Sequence, residues 1–236
     1  MEKFYENQHE CNPEIHDSGI ARSALESAES YVAGCAGTSY SRNGGSKAFS
    51  SAFSALVEWG LSHSLVFPEK EFAFFAKATD GHGEEHEAWF DEASNRWFKA
   101  TYPNRFGLAW GRDGTATARE YLSRLILQNT YFGDDIRLIG LVESNEHLRV
   151  LTSQPRIAGE PAEYDDIQSW FSGLNFVRLE TSDRIAWYRK EENILIADAH
   201  EGNVIQTAKG DLVPIHLNII QPTGELYEWV SSFKNC

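Results

Sequence analysis

Apolar and polar positions alternate with two different periods along this chain. In 18–30 and 47–59 the pattern has the i, i+4, i+7 spacing of amphipathic helices, and the glycine-rich segment 34–45 separates them. From residue 84 onward, short segments alternate large apolar and polar side chains, which is typical of strands. The pattern therefore predicts a helical part followed by a part rich in strands.

The second part has a defined order of predicted elements. Segments 86–90 and 96–101 predict a hairpin, and 115–129 predicts a helix with Thr115 or Thr117 as its N-cap. Further strands are predicted at 136–142 and 148–151, a helix at 163–171, and strands at 185–189, 193–197, 204–207 and 212–220. The first five of these elements follow the order strand, strand, helix, strand, strand.

Composition and charge exclude several classes of protein. The 236 residues are 42% hydrophobic, enough for a sizeable core, and 35 acidic residues outweigh 21 basic ones to give a formal charge of −14. This charge argues against binding to nucleic acid or to an anionic membrane surface, although one local basic pocket for a nucleotide is compatible with it. Three scattered cysteines without a CxxC pair predict a reducing, cytoplasmic compartment. We expect no membrane span and no signal peptide.

The most informative chemistry lies in the tract 194–205. An apolar segment leads into Asp198, and His200 and Asn203 follow two and five residues later. A second predicted strand begins directly after Asn203. Phosphotransferases place a base and a metal ligand in this way, because an Asp that deprotonates a hydroxyl must lie beside an Asn that holds Mg²⁺ on the phosphates. A polar hairpin turn is the alternative interpretation, since Asp, His, Gly and Asn are common in turns.

Residues 80–222 resemble the protein-kinase-like superfamily, and most closely the small bacterial and phage kinase domains found in polyvalent proteins. The Asp-x-His-x-x-Asn order at 198–203 is similar to that of the aminoglycoside and choline kinases. The resemblance implies an α+β, two-lobe fold. It divides the chain into an N-terminal helical extension (1–79), an N-lobe (80–153) and a reduced C-lobe (154–236).

The resemblance also assigns roles toward ATP. Gly81 and Gly83 would form a phosphate loop whose usual third glycine is His86, and Lys99 would contact the α and β phosphates. Glu120 on the following helix would pair with Lys99. The segment 151–155, which includes Gln154, would form the hinge and offer its backbone to the adenine edge.

In the catalytic loop, the resemblance makes Asp198 the base and Asn203 a ligand of Mg²⁺. The strand that follows should carry a second metal-binding Asp, but this position is His216. A neutral imidazole suits Zn²⁺, Mn²⁺ or Cu²⁺ better than hard Mg²⁺, and it brings no negative charge. His216 is therefore either a metal ligand or a buried strand histidine.

Three functions remain open at this stage. The first is an ATP-dependent kinase that uses Mg²⁺ or Mn²⁺, acts on a protein or a small molecule, and is weakened by His216. The second is an inactive pseudokinase that senses nucleotide or binds a protein partner. The third is a hydrolase, which has only scattered residues without ligand spacing, namely Cys35, His63, His86, His147 and His200.

Overall fold

The computed structural model describes residues 18–35, 45–70, 72, 81–83, 85–107, 116–144, 147–180 and 185–233. Its helices are α1 (Ser18–Cys35), α2 (Gly45–Ser62), α3 (Ala118–Phe132), α4 (Tyr164–Gly173) and α5 (Gly224–Ser231). Its strands are β1 (Val66–Pro68), β2 (Gly81–His82), β3 (His86–Asp91), β4 (Arg96–Thr101), β5 (Arg137–Ser144), β6 (His147–Pro155), β7 (Glu160–Pro161), β8 (Val177–Glu180), β9 (Ile185–Arg189), β10 (Ile194–Ala197), β11 (Val204–Gln206), β12 (Leu212–Pro214) and β13 (Asn218–Ile220). This mixture of helices and sheets confirms the α+β class.

A six-stranded sheet is built from the first six strands, in the order β1-β5-β6-β4-β3-β2. Its pairs are antiparallel except for β1 and β5, which run parallel. The predicted hairpin is confirmed as β3 and β4. Its turn is stabilised by the Asp91 carboxylate, which accepts a hydrogen bond from the backbone of Ser94 at 2.9 Å, and by Asn95 in the left-handed region.

Helices α1 and α2 pack on this sheet together with α3. Leu25 of α1 and Trp59 of α2 lie fully or almost fully buried in one apolar cluster with Leu122 of α3 and Leu141 of β5. The amphipathic spacing predicted both helices, and the structure shows the surface that their apolar faces cover. The division of the chain at residue 79 remains a prediction.

Helix α3 begins with a capping box. The Thr117 side chain accepts from Glu120 N, and the Glu120 carboxylate accepts from Thr117 N, which satisfies two backbone donors that have no partner inside the helix. Gly133 ends the helix with φ +67°. The buried face also carries Arg124 and Gln128, whose polar groups need partners in the interior.

The remaining strands form two smaller sheets, β13-β10-β9-β8 and β12-β11-β7. Helix α4 contributes Ile167 and Phe171 to the core beside them, and the Phe171 ring stacks on Trp187 at 5.0 Å. Helix α5 packs through Val230 on the other face of the sheet β13-β10-β9-β8. No helix in the described ranges has both the length and the apolar character that crossing a bilayer requires.

The prediction of a single strand over 212–220 is wrong. The segment contains β12, which pairs with β11, and β13, which pairs with β10 in a different sheet. Residues 215–217 lie between the two strands, and Gln128 of α3 accepts a hydrogen bond from Leu217 N at 3.3 Å. Side chains from other elements thus bind this backbone in place of a neighbouring strand, and His216 lies in the break.

Candidate functional site

The loop after β10 holds Asp198 and Asn203 together. Asn203 Nδ2 lies 2.8 Å from the Asp198 carbonyl oxygen and 3.1 Å from its Oδ2. Asp198 has φ +64°, an uncommon conformation for a residue other than glycine, and its side chain is 50% exposed. The surrounding structure therefore maintains a strained backbone at an accessible carboxylate, a combination that is frequent at functional sites.

His200 orders the same loop. Its Nδ1 accepts a hydrogen bond from Gly202 N at 3.0 Å, and its carbonyl oxygen accepts one from Asn203 N at 2.8 Å. The Asn203 carbonyl in turn accepts from Ile215 N at 2.8 Å. The loop is thus joined to the break between β12 and β13, which brings Asp198 and Asn203 near His216.

Lys99 on β4 points to the same break. Its Nζ donates to Gln154 Oε1 at 2.8 Å and to the Ile215 carbonyl oxygen at 3.4 Å. Burial lowers the pKa of Lys99 to about 8, and the nearby carboxylate of Asp134 opposes this shift. The ammonium is therefore charged at neutral pH and close to its titration point.

The predicted pair of Lys99 with Glu120 does not form. Glu120 Oε2 instead accepts from Thr117 N at 2.7 Å, at the N-terminus of α3. The first turn of a helix attracts carboxylates because its N–H groups lack partners, so local capping determines the position of this side chain. The residues of α3 that reach the site are Arg124 and Gln128.

The predicted hinge lies inside β6. Residues 151–153 pair with β4 on one side and with β5 on the other, so their backbone groups are used within the sheet. The buried Gln154 side chain donates from Nε2 to the Ile215 carbonyl at 3.0 Å and to Asp134 at 3.1 Å. Gln154 thus connects Lys99 to the break, and the role of this segment toward adenine remains a prediction.

The two glycines of the predicted phosphate loop lie in β2 and directly after it. Gly81 pairs with Ala88, Gly83 N donates to the His86 carbonyl at 2.9 Å, and Tyr102 donates to the Gly83 carbonyl at 3.1 Å. A Cβ on Gly83 would meet only ordinary contacts. The role of Gly81 and Gly83 toward a nucleotide remains a prediction.

Glu85 and Arg124 are the central charged pair of the site, and sequence reasoning missed both. Arg124 Nη1 donates to Glu85 Oε1 at 3.1 Å, and Nη2 donates to Oε2 at 2.6 Å. Burial would raise the pKa of Glu85, but the neighbouring His216 imidazole and the Arg124 guanidinium outweigh it and hold the pKa well below its usual range. A signal was available, because Arg124 interrupts the apolar face of α3.

His86 lies behind this pair. Its Nε2 is 2.8 Å from the Tyr121 hydroxyl, and the ring is buried. Burial lowers the pKa of His86 well below its ordinary value, so the imidazole is neutral at pH 7. The residue that occupies the third glycine position of the predicted loop is therefore part of the interior.

His216 faces two carboxylates. Its Nε2 lies 3.3 Å from Glu85 Oε2 and its Nδ1 lies 3.8 Å from Asp198 Oδ2. Burial lowers the pKa of His216, which makes the ring neutral at pH 7. For a nucleotide-bound Mg²⁺, the oxygen ligands available are the Asp198 carboxylate and Asn203 Oδ1, since Asn203 Nδ2 is already engaged. The donor set fits Mg²⁺ in part, and His216 is its weak member.

Comparison with known proteins identifies one family. Residues 53–219 match the model of a family described as Serine/Threonine/Tyrosine Kinase found in polyvalent proteins, and this match covers more than half of the chain. No curated protein matches the chain, and no solved structure does.

Proposed function

This chain belongs to the family of serine/threonine/tyrosine kinases found in polyvalent proteins, and on that premise we propose that it is an ATP-dependent phosphotransferase. The acceptor is a hydroxyl group of a protein or of a small molecule. The observation that carries the proposal is the contact of Asn203 with Asp198 at the end of β10. It supports a base and a metal ligand that are held together in one short loop.

Each group has a role in this reaction. Asp198 orients the acceptor hydroxyl and accepts its proton as the oxygen attacks the γ-phosphorus. Lys99 neutralises negative charge on the phosphates. Asn203 Oδ1 would hold a divalent cation that accompanies ATP, and this cation would neutralise the charge that develops on the transferring group.

The proposal includes a two-lobe arrangement. The six-stranded sheet with α3 forms the N-lobe, and the part after residue 154 forms a reduced C-lobe. The hydrogen bonds of Lys99 and Gln154 to the Ile215 carbonyl support a site between these parts, because they join β4 and β6 to the break that carries His216.

A pseudokinase is the alternative, and one specific observation favours it. The carboxylate of Glu85 lies against His216 and pairs with the Arg124 guanidinium, so the positive charge of Arg124 is already neutralised and is not available to phosphate. Together with the missing carboxylate at position 216, this contact favours a module that binds nucleotide weakly, or not at all, and acts through a protein partner.

Calorimetric titration of ATP without metal, with Mg²⁺ and with Mn²⁺ tests the nucleotide site. We expect binding that requires metal and that Lys99→Ala weakens tenfold or more, because a hydrogen bond to a charged group contributes about 1.5–3 kcal/mol. Lys209→Ala is the matched control, since Lys209 is exposed in the turn between β11 and β12 and should leave the affinity unchanged.

The outcomes separate the two functions. Binding that depends on metal and on Lys99, followed by release of ADP when acceptor hydroxyls are supplied, supports the phosphotransferase. Binding without any turnover, even with Mn²⁺, identifies a nucleotide-sensing pseudokinase. No heat under any condition would contradict the nucleotide site altogether.

A further inference from the structure

Three metal-ligating side chains converge where the β2–β3 turn meets the break between β12 and β13. Glu85, His86 and His216 each offer one ligand atom, and these atoms all lie within 4.8 Å of one another. His216 Nε2 is 3.3 Å from Glu85 Oε2, and His86 Nδ1 is 4.0 Å from the same oxygen. A tetrahedral Zn²⁺ site, with bonds of about 2.0–2.1 Å, needs ligand atoms roughly 3.3 Å apart, so small side-chain movements would complete this arrangement.

The second nitrogen of His86 already has a hydrogen-bonding partner, and that of His216 lies near a carboxylate but beyond hydrogen-bonding distance. His86 Nε2 lies 2.8 Å from the Tyr121 hydroxyl, and His216 Nδ1 lies 3.8 Å from the Asp198 carboxylate. Histidines that bind metals are typically oriented by such a partner on the opposite ring nitrogen. The outer contacts here leave His86 Nδ1 and His216 Nε2 as the atoms that face Glu85.

Two further observations point to a ligand between these groups. His216 Nε2 is buried, and its contact with Glu85 Oε2 at 3.3 Å is too poorly aligned for a full hydrogen bond. A buried polar atom without a partner is costly, and a bound cation would satisfy it. Arg124 donates to both oxygens of the Glu85 carboxylate, to Oε1 at 3.1 Å and to Oε2 at 2.6 Å, which fixes the orientation of that ligand.

We propose that Glu85, His86 and His216 form a binding site for a borderline divalent transition metal of the Zn²⁺ class. Two imidazoles and one carboxylate suit such ions better than Mg²⁺ or Ca²⁺, which prefer oxygen ligands. This site shares His216 with the donor set considered for the cation that accompanies ATP, but it uses neither Asn203 nor phosphate. A bound metal fastens the turn before β3 to the break that follows β12.

Visible absorption of Co²⁺ tests this site in the full chain without nucleotide. We expect one Co²⁺ per chain, with the absorption of a low-coordinate complex that added Zn²⁺ abolishes. Loss of an outer partner typically reduces metal affinity 10–100-fold, and we expect a reduction in this range for Tyr121→Phe. His216→Gln and His86→Gln each remove one ligand, so their reduction in Co²⁺ affinity should be larger.

Control variants separate this site from other ligands. His63→Gln and His147→Gln replace exposed histidines outside the cluster and should leave Co²⁺ binding unchanged. A variant that combines Cys11→Ser, Cys35→Ser and Cys236→Ser excludes thiols and should also bind Co²⁺ normally. The proposal is overturned if no stoichiometric Co²⁺ binds. It is also overturned if His216→Gln binds Co²⁺ as the unmodified chain does. The His216 side chain is 24% exposed and therefore tolerates replacement better than the buried His86.

His216→Asp gives a second, independent comparison. An Asp keeps a ligand at this position but replaces nitrogen with oxygen, so the preference for Zn²⁺ over Mg²⁺ should fall. An unchanged preference would contradict the assignment of His216 as a ligand. Failure of this proposal leaves the nucleotide site untouched, because the Co²⁺ experiment contains no ATP.

Discussion

At the scale of single residues, Lys99 is the group of the proposed nucleotide site whose charge state should most directly affect phosphate binding. Its Nζ contacts Gln154 and the Ile215 carbonyl, both neutral groups, and burial lowers its pKa to about 8. A bound triphosphate would stabilise the ammonium and raise this pKa. The complex then holds a proton that the free protein loses above pH 8.

This difference predicts a pH dependence of nucleotide affinity. Above pH 8 the complex binds more protons than the free protein, so the affinity for ATP should be at its maximum below that pH. It should fall as the pH rises, by at most about tenfold per pH unit. Calorimetric titrations between pH 7 and pH 9.5, at constant ionic strength and metal concentration, measure the slope.

Lys99→Arg is the control for this slope, since a guanidinium stays charged throughout the range. The variant can bind ATP more weakly because its planar head differs in shape, but its affinity should not decline above pH 8. An equal decline in both proteins would show that another group is responsible.

Asp198 carries the second prediction at this scale. Asp198→Asn keeps the size of the side chain but removes the base, so the rate of phosphoryl transfer should fall by about 10²–10⁴-fold while ATP still binds. Asp211→Asn is the matched control, because Asp211 is also exposed but lies in the turn before β12. Equal rates for Asp198→Asn and the unmodified chain would remove Asp198 from the mechanism.

At the scale of elements, the start of α3 shows how local chemistry overrides a motif. Glu120 is part of the capping box with Thr117 rather than the partner of Lys99. Glu120→Ala should therefore lower the free energy of unfolding by about 0.3–1.5 kcal/mol and leave the affinity for ATP unchanged. Urea denaturation and calorimetry on the same variant measure the two quantities.

Glu120→Gln provides a sharp control, since Gln also completes a capping box. This variant should keep both the stability and the nucleotide affinity. A large loss of ATP affinity in either variant, without a loss of stability, would restore the original assignment of Glu120 to the phosphate site.

The elements also explain which parts of the site the sequence could predict. Asp198, His200 and Asn203 lie within one short loop between two strands, so their spacing alone brings them together. Glu85, Arg124 and His216 come from a turn, a helix and a break between strands, and only the tertiary fold joins them. The break was missed because its backbone is bound by side chains such as Gln128, a contact that no local pattern encodes.

At the scale of the whole molecule, the first helices and the large sheet share one apolar core. Leu25 and Leu56 are fully buried beside Leu122 and Leu141, and the family match begins at residue 53, inside α2. The sequence correctly predicted amphipathic helices here. Their period could not reveal which surface they cover, because many surfaces can accept an apolar helix face.

The last prediction concerns the stability that this shared core provides. Leu25→Ala leaves a cavity between α1 and the sheet, so the free energy of unfolding should fall by about 2–5 kcal/mol. Leu61→Ala, at a position that is 62% exposed, should change it by no more than about 0.5 kcal/mol.

Hydrogen exchange shows how far the effect of Leu25→Ala extends. If α1 and the sheet unfold together, the protection of β5 and β6 should fall along with that of α1, because one cooperative unit has lost stability. If α1 alone exchanges faster while the strands keep their protection, the helices form a separate unit, and the boundary predicted at residue 79 is correct. The position of Leu25 in the same cluster as Leu141 of β5 favours the first outcome.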